Sequence, residues 1–218
     1  MKLFSETDYK SITDYVSLTS TDIEQTIKNF KLIFSPVRHE AVEWKLNLPP
    51  FIRPFYLEIY RDGKIPNQQE YIAKYKAYNR SQMNQICLSN EIAMGIEARL
   101  MRTYPSLVRD LHFTYYVYER LAHAKVIYNT ALDLSEGIDL MIKYRNVYTA
   151  FALYTHTENA VNARFKKTFG HKSFGNVFYE ELPIDMNNCA VVGDFFLYGS
   201  EPLRQIEERI AHNADAKI

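Results

Sequence analysis

The amino-acid sequence predicts an α/β fold: a helix-strand-strand-strand-helix-strand core with a central mixed sheet, preceded by a mainly helical N-terminal region. Two strand-like runs, 138–144 and 147–154, meet at Arg145-Asn146, a connection short enough for a tight hairpin. A polar helical stretch at 157–168 then leads to a further strand-like run at 176–182. Before residue 105, in contrast, apolar residues recur mostly at helical spacing. With 218 residues, 47% of them hydrophobic, the chain can bury a sizeable core.

The elements follow in order. Thr21-Asp22-Ile23-Glu24 reads as a capping box, and Ile23, Ile27, Phe30 and Phe34 continue at helical spacing until Ser35-Pro36 stops the run. Between 37 and 66 the texture changes. Pro49-Pro50 and Pro54 break a helical pattern, and Phe55-Tyr56-Leu57-Glu58-Ile59-Tyr60 alternates like a strand before Asp62-Gly63, so a connector or short β element is expected. Stretches 67–78 and 84–102 read as helical. Tyr104-Pro105 is expected to reset the backbone, with Pro105 in the first turn of a new helix whose apolar stripe includes Leu107, Leu111, Tyr115 and Leu121. Strands are expected at 125–130, 138–144 and 147–154, a helix at 157–168, and strands at 176–182 and 191–198. Glu201-Pro202 then opens a final helix to about residue 212. The natural division is a helical region, 1–105, and an α/β domain, 106–218.

Composition narrows the function. Twenty-six basic residues balance 26 acidic ones, so no global field draws the chain to a polyanion and any such site must be a local patch. Cys87 and Cys189 lie far apart in sequence, without zinc-ligand spacing, and are expected to be buried thiols in a reducing cytosol. No apolar run reaches the length of a membrane span, so a soluble, cytoplasmic protein is expected. Seventeen tyrosines and 13 phenylalanines are spread along the chain without forming one platform, and their commoner use is at core margins. No nucleophile elbow, Walker-type loop or dinucleotide fingerprint occurs. Asp110 and His112 are two residues apart on a helix and point about 200° apart, so they cannot share a proton.

One acidic residue needs a reason. Asp139, in Gly137-Ile138-Asp139-Leu140, sits at the entrance of an apolar strand, where a metal ion, a basic partner or exposure at the strand end would each account for it. The helical stretch that follows carries Glu158, Asn162 and Lys166 as a stripe drifting about 80° over two turns. Between Asp139 and Lys172 lie Lys143, Arg145, Arg164, Lys166, Lys167 and Lys172 against Asp139 and Glu158, a local net charge of +4, with His156 and His171 besides. Phosphate contacts use this kind of clustering, and a solvated helix face gives the same pattern.

The element order from 106 to 182, with Asp139 heading its second strand, resembles the core of the PD-(D/E)XK nuclease superfamily over about a third of the chain. In that family an Asp and a Glu-x-Lys on the next strand gather two carboxylates, which hold Mg²⁺, and an ammonium beside the scissile phosphate. The resemblance implies that Asp139 is a metal ligand. The strand that should carry Glu-x-Lys reads Val147-Tyr148-Thr149-Ala150-Phe151-Ala152-Leu153-Tyr154-Thr155, without a charged side chain, and looks fully buried. Some family members place the second carboxylate on the following helix, which would make Glu158 the other ligand. The expectation is therefore a nucleic-acid-binding, nuclease-like protein, a Mg²⁺-dependent DNA endonuclease. Asp139, Glu158 and Lys166 would be catalytic, and Lys143, Arg145, Arg164, Lys167 and Lys172 would meet phosphate, in a chain that pairs as a homodimer. The alternative is a catalytically inactive copy of the fold that binds nucleic acid or protein.

Overall fold

A computed structural model describes residues 3–86, 89–155 and 174–216. The chain divides into two compact units. The α/β unit comprises 1–20, 110–191 and 196–218, and the helical unit comprises 21–109 with 192–195. The first twenty residues thus group with the sheet.

In the helical unit, α1 (Ser20–Ile27) is shorter than the spacing of Phe30 and Phe34 predicts, and Phe34 is exposed. The Lys28 carbonyl at its exit passes so close to Gly193, which has φ +57°, that a Cβ there would lie 2.8 Å from the oxygen. The run 55–60 is not a strand. It lies inside α2 (Ile52–Asp62), where Phe55, Tyr56 and Ile59 share the buried face and Gly63 ends the helix in the left-handed conformation. Pro54 is tolerated because it falls in the first turn, where amide hydrogens have no helical partner. Asn67 and Glu70 form the capping box of α3 (Gln68–Tyr78), and α4 (Arg80–Ile86) follows.

Pro105 starts no helix, contrary to the sequence expectation. It lies inside α5 (Asn90–Arg120), whose residues to Arg109 belong to the helical unit. A proline at 105 cannot supply the amide hydrogen that the Met101 carbonyl would receive in an α-helix. Gln68, 2% exposed, supplies it instead. Its Nε2 donates to Met101 O at 3.0 Å and to Ile33 O at 3.1 Å, while its Oε1 accepts from Ile33 N at 2.7 Å. Three core tyrosines are also satisfied through carbonyls: Tyr71, Tyr75 and Tyr104 donate to Phe51, Pro49 and Pro66 at 3.1, 2.8 and 2.7 Å. These rings lie wholly inside a core with their hydroxyls paired, deeper than the core-margin role the sequence suggests.

The α/β unit contains the end of α5, then β1 (Lys125–Ile127), α6 (Thr130–Glu136), β2 (Leu140–Tyr144), β3 (Val147–Thr155) and β4 (Val177–Ile184). The sheet order is β1-β2-β3-β4, antiparallel across the first two pairs and parallel between β3 and β4. The mixed sheet and the broad helix-strand order are those the sequence predicts, although α6 interrupts the expected run of three strands, and the helix expected at 157–168 lies outside the described residues. Phe4, Ile127, Leu132, Ile138, Met141, Ala150 and Phe174 form a core cluster. Alternate residues of β2 and β3, among them Leu140, Ile142 and Phe151, point to the opposite face. The last helix, α7 (Ser200–Asp215), packs on β2, β3 and β4 and buries Leu203, Ile206 and Ile210. The run 191–198 is not one strand but the small ribbon of β5 (Ala190–Val192) and β6 (Phe195–Leu197), because Gly193 turns the chain back.

Residues 10–16 close the outer side of β1. Ile12 N donates to Tyr128 O at 3.0 Å, Tyr128 N donates to Ser11 Oγ at 3.1 Å, and the Tyr115 hydroxyl donates to Val16 O at 2.9 Å. The Glu119 carboxylate accepts from both the amide and the hydroxyl of Ser20, within the same unit.

Candidate nucleic-acid interface

Local chemistry delivers Asp139 to the head of β2. Gly137 ends α6 with φ +64°, its amide donating to Asp133 O and the amide of Ile138 to Leu132 O, while Ile138 and Leu132 bury their side chains in one cluster. This is a glycine stop of the αL type, and it sets the direction in which the chain enters the sheet. At the other end of the hairpin Arg145 and Asn146 adopt φ +45° and +62°, the two-residue turn predicted from sequence.

Asp139 continues the ladder in two ways. Its amide donates to Phe151 O at 3.0 Å, and its Oδ2 accepts from the amide of Leu153 at 2.6 Å. A side-chain oxygen thus stands where the next main-chain carbonyl would be, and the carboxylate extends the pairing of β3 beyond the first residue of β2. Beside it Val147, Thr149, Ala150 and Phe151 of β3 are buried, but Tyr148, Ala152, Leu153, Tyr154 and Thr155 are only partly so, which corrects the expectation of a fully buried strand.

Lys143 lies four residues along β2 from Asp139, about 13 Å away at the usual strand rise, so the two cannot meet one phosphate oxygen. Its Nζ donates to Glu6 Oε1 at 2.7 Å, where Glu6 also receives Lys125 Nζ at 2.6 Å and the Tyr148 hydroxyl at 2.7 Å. Hydrogen bonds from Lys125, Lys143 and Tyr148, in that order of effect, pull the Glu6 carboxyl down to about 2. Glu6 in turn holds the Lys143 ammonium above the usual lysine range. Arg145 stacks over the Tyr144 ring and pairs with Asp215 at 3.1 Å, both partners exposed.

Glu158, Lys166, Arg164, Lys167 and Lys172 lie outside the described residues, as do His156, His171 and Cys87. Of the eight expected site residues, Asp139, Lys143 and Arg145 are therefore placed, strung along one hairpin, with both cations paired to acids. Among the described residues no group of three or more His, Cys, Asp or Glu side chains is placed to hold a metal. Asp139, with one oxygen on the Leu153 amide, does not by itself fit Mg²⁺, which demands near-octahedral oxygen ligation. His112 is buried against the ring of Tyr116. Cys189 is only partly buried, its sulfur 3.9 Å from that of Met186.

Sequence reasoning passed over two groups. Glu6 with Lys125 and Tyr148 is one. Another lies toward α7, where Arg209 donates to Glu180 Oε2 at 2.7 Å and Asn213 to Glu180 Oε1 at 3.2 Å, with Thr149 Oγ1 3.4 Å from Asn213 Nδ2. Glu180 was visible as a charge within a strand-like run, the kind of signal that singled out Asp139. Among the described residues no helix is long and apolar enough to cross a membrane. No protein-family model, curated protein or solved structure matches the chain.

Proposed function

We propose that this chain is a nuclease-fold module that binds nucleic acid, with DNA the expected partner, and does not itself cleave it. The observation that carries this reading is the Asp139 carboxylate, which accepts the Leu153 amide beside a third strand without a charged side chain. The family's chemistry needs two carboxylates converging on one Mg²⁺, and in this arrangement the first already serves the backbone. The helix-strand order around the mixed sheet supports the fold half of the proposal. The local charge of +4 between Asp139 and Lys172 supports the polyanion half. A cytoplasmic location and pairing as a homodimer belong to the same reading.

Fluorescence anisotropy with labelled duplex DNA over a salt series tests it. The expected result is binding whose logarithmic affinity falls linearly with the logarithm of salt concentration; no salt-dependent binding overturns it. A thermal-shift titration with Mg²⁺ or Mn²⁺ should leave the melting temperature unmoved, because only a ligand that binds the native state stabilises it. The position of Asp139 at the strand head favours one competing reading, a Mg²⁺-dependent endonuclease completed by Glu158 and Lys166. That reading wins if metal raises the melting temperature and Asp139→Ala abolishes cutting while DNA binding survives.

A further inference from the structure

Lys125, Lys143 and Tyr148 stand in one transverse row of the sheet, since Lys125 pairs with Lys143 across β1 and β2, and Lys143 pairs with Tyr148 across β2 and β3. Two ammonium groups directly opposite one another on neighbouring strands repel. The row therefore needs an anion. Glu6 provides one, with its two oxygens shared among Lys125 Nζ, Lys143 Nζ and the Tyr148 hydroxyl. The next position in the row, Val177 on β4, is apolar. Within the row, one carboxylate thus faces two ammonium groups, and half the positive charge is left unmatched.

The donors and the occupant differ in kind. All three donors are fixed on paired strands, whereas Glu6 comes from the irregular segment 3–9, which includes only a turn. That segment is held by other contacts: Asn176 exchanges hydrogen bonds with both the amide and the carbonyl of Phe4, and the Phe4 ring lies against Tyr9, Tyr148 and Phe174. Three donors on paired strands, met by one side-chain acceptor from an irregular segment anchored elsewhere, form the architecture of a ligand site occupied in cis. A phosphate group matches it better than a carboxylate does, since it carries up to two negative charges and enough oxygens to receive all three donors at once.

We propose that Lys125, Lys143 and Tyr148 form a phosphate-binding site on the sheet, which Glu6 fills as an intramolecular stand-in, so that phosphate and the Glu6 side chain compete for it. The site does not depend on the nucleic-acid reading, because a free phosphate or a phosphomonoester would be held in the same way as a backbone phosphate.

The test is calorimetric titration of inorganic phosphate, at ionic strength matched with chloride, into the wild type, Glu6→Ala and Glu6→Ala/Lys143→Met. Glu6→Ala should bind phosphate with a dissociation constant at least about tenfold lower than the wild type, and the added Lys143→Met should remove the gain. Equal, weak titration of all three proteins overturns the proposal and leaves the cluster a structural ion pair. If Glu6→Ala does not fold in chloride, Glu6→Gln keeps the side chain's shape while removing its charge. Under the proposal its melting temperature rises with phosphate by about 2–4 °C more than that of the wild type. No difference between the two overturns it. A parallel arm with a short oligonucleotide separates the sources. A gain for inorganic phosphate alone keeps the site and assigns it to a small phosphate ligand, and a gain for both assigns it to the nucleic-acid backbone.

Discussion

Asp139 was conspicuous in the sequence because an acidic residue at the mouth of an apolar strand needs a partner, and the structure gives it an unforeseen one. The Leu153 amide lies fourteen positions on and reaches Asp139 only through the register of the hairpin. Removing the acceptor should leave that amide without its partner, at a cost of about 1–2 kcal/mol for Asp139→Ala in urea unfolding. Asp139→Asn retains a side-chain oxygen and should stay within about 0.5 kcal/mol of the wild type. If instead Asn costs as much as Ala, the negative charge matters and a cationic partner becomes the better account. Lys143 and Arg145 teach the same lesson. Their identity and their place on the hairpin were legible, but their acids, Glu6 and Asp215, stand 137 and 70 positions away, beyond the reach of any local pattern.

Among the elements, periodicity located the strands of the sheet well, because β2 and β3 are joined by a turn whose length the sequence shows directly. It fails where proline reads as a boundary. Pro54 falls in a first helical turn, which costs no hydrogen bond, and Pro105 falls mid-helix, where Gln68 makes good the loss from a different helix. Nothing near Pro105 in the chain announces a glutamine 37 positions earlier as its complement. The relation can be measured. Gln68→Ala should destabilise the helical unit by about 2–3 kcal/mol, since Ile33 and Met101 both lose partners. In a Pro105→Ala background, where an amide can again serve the Met101 carbonyl, that cost should fall by about 1 kcal/mol. Strict additivity in denaturant unfolding would show that the glutamine does not compensate for the proline.

For the molecule as a whole, fold class and charge balance were legible in the composition and element order, whereas the grouping of the first twenty residues with the sheet was not, because it depends on contacts across more than a hundred positions. That grouping makes stability depend on pH. The Glu6 carboxyl lies at about 2 in the folded protein, below its ordinary value near 4.5. Its stabilising contribution is therefore complete above about pH 4.5 and is lost as pH falls toward 2. Stability measured by denaturant between pH 6 and 2.5 should fall less steeply in Glu6→Gln than in the wild type, and parallel profiles would show that Glu6 is not the titrating group. The same grouping bears on how the chain is made. Residues 3–16 are made more than a hundred residues before their docking positions on β1, β2 and β3. Until then Phe4 and Ile12 have no core to enter, and closing so long a loop is slow. Segment 3–16 is therefore bait for chaperones and proteases while the intervening hundred residues are made, and its docking must wait for the strands that receive it.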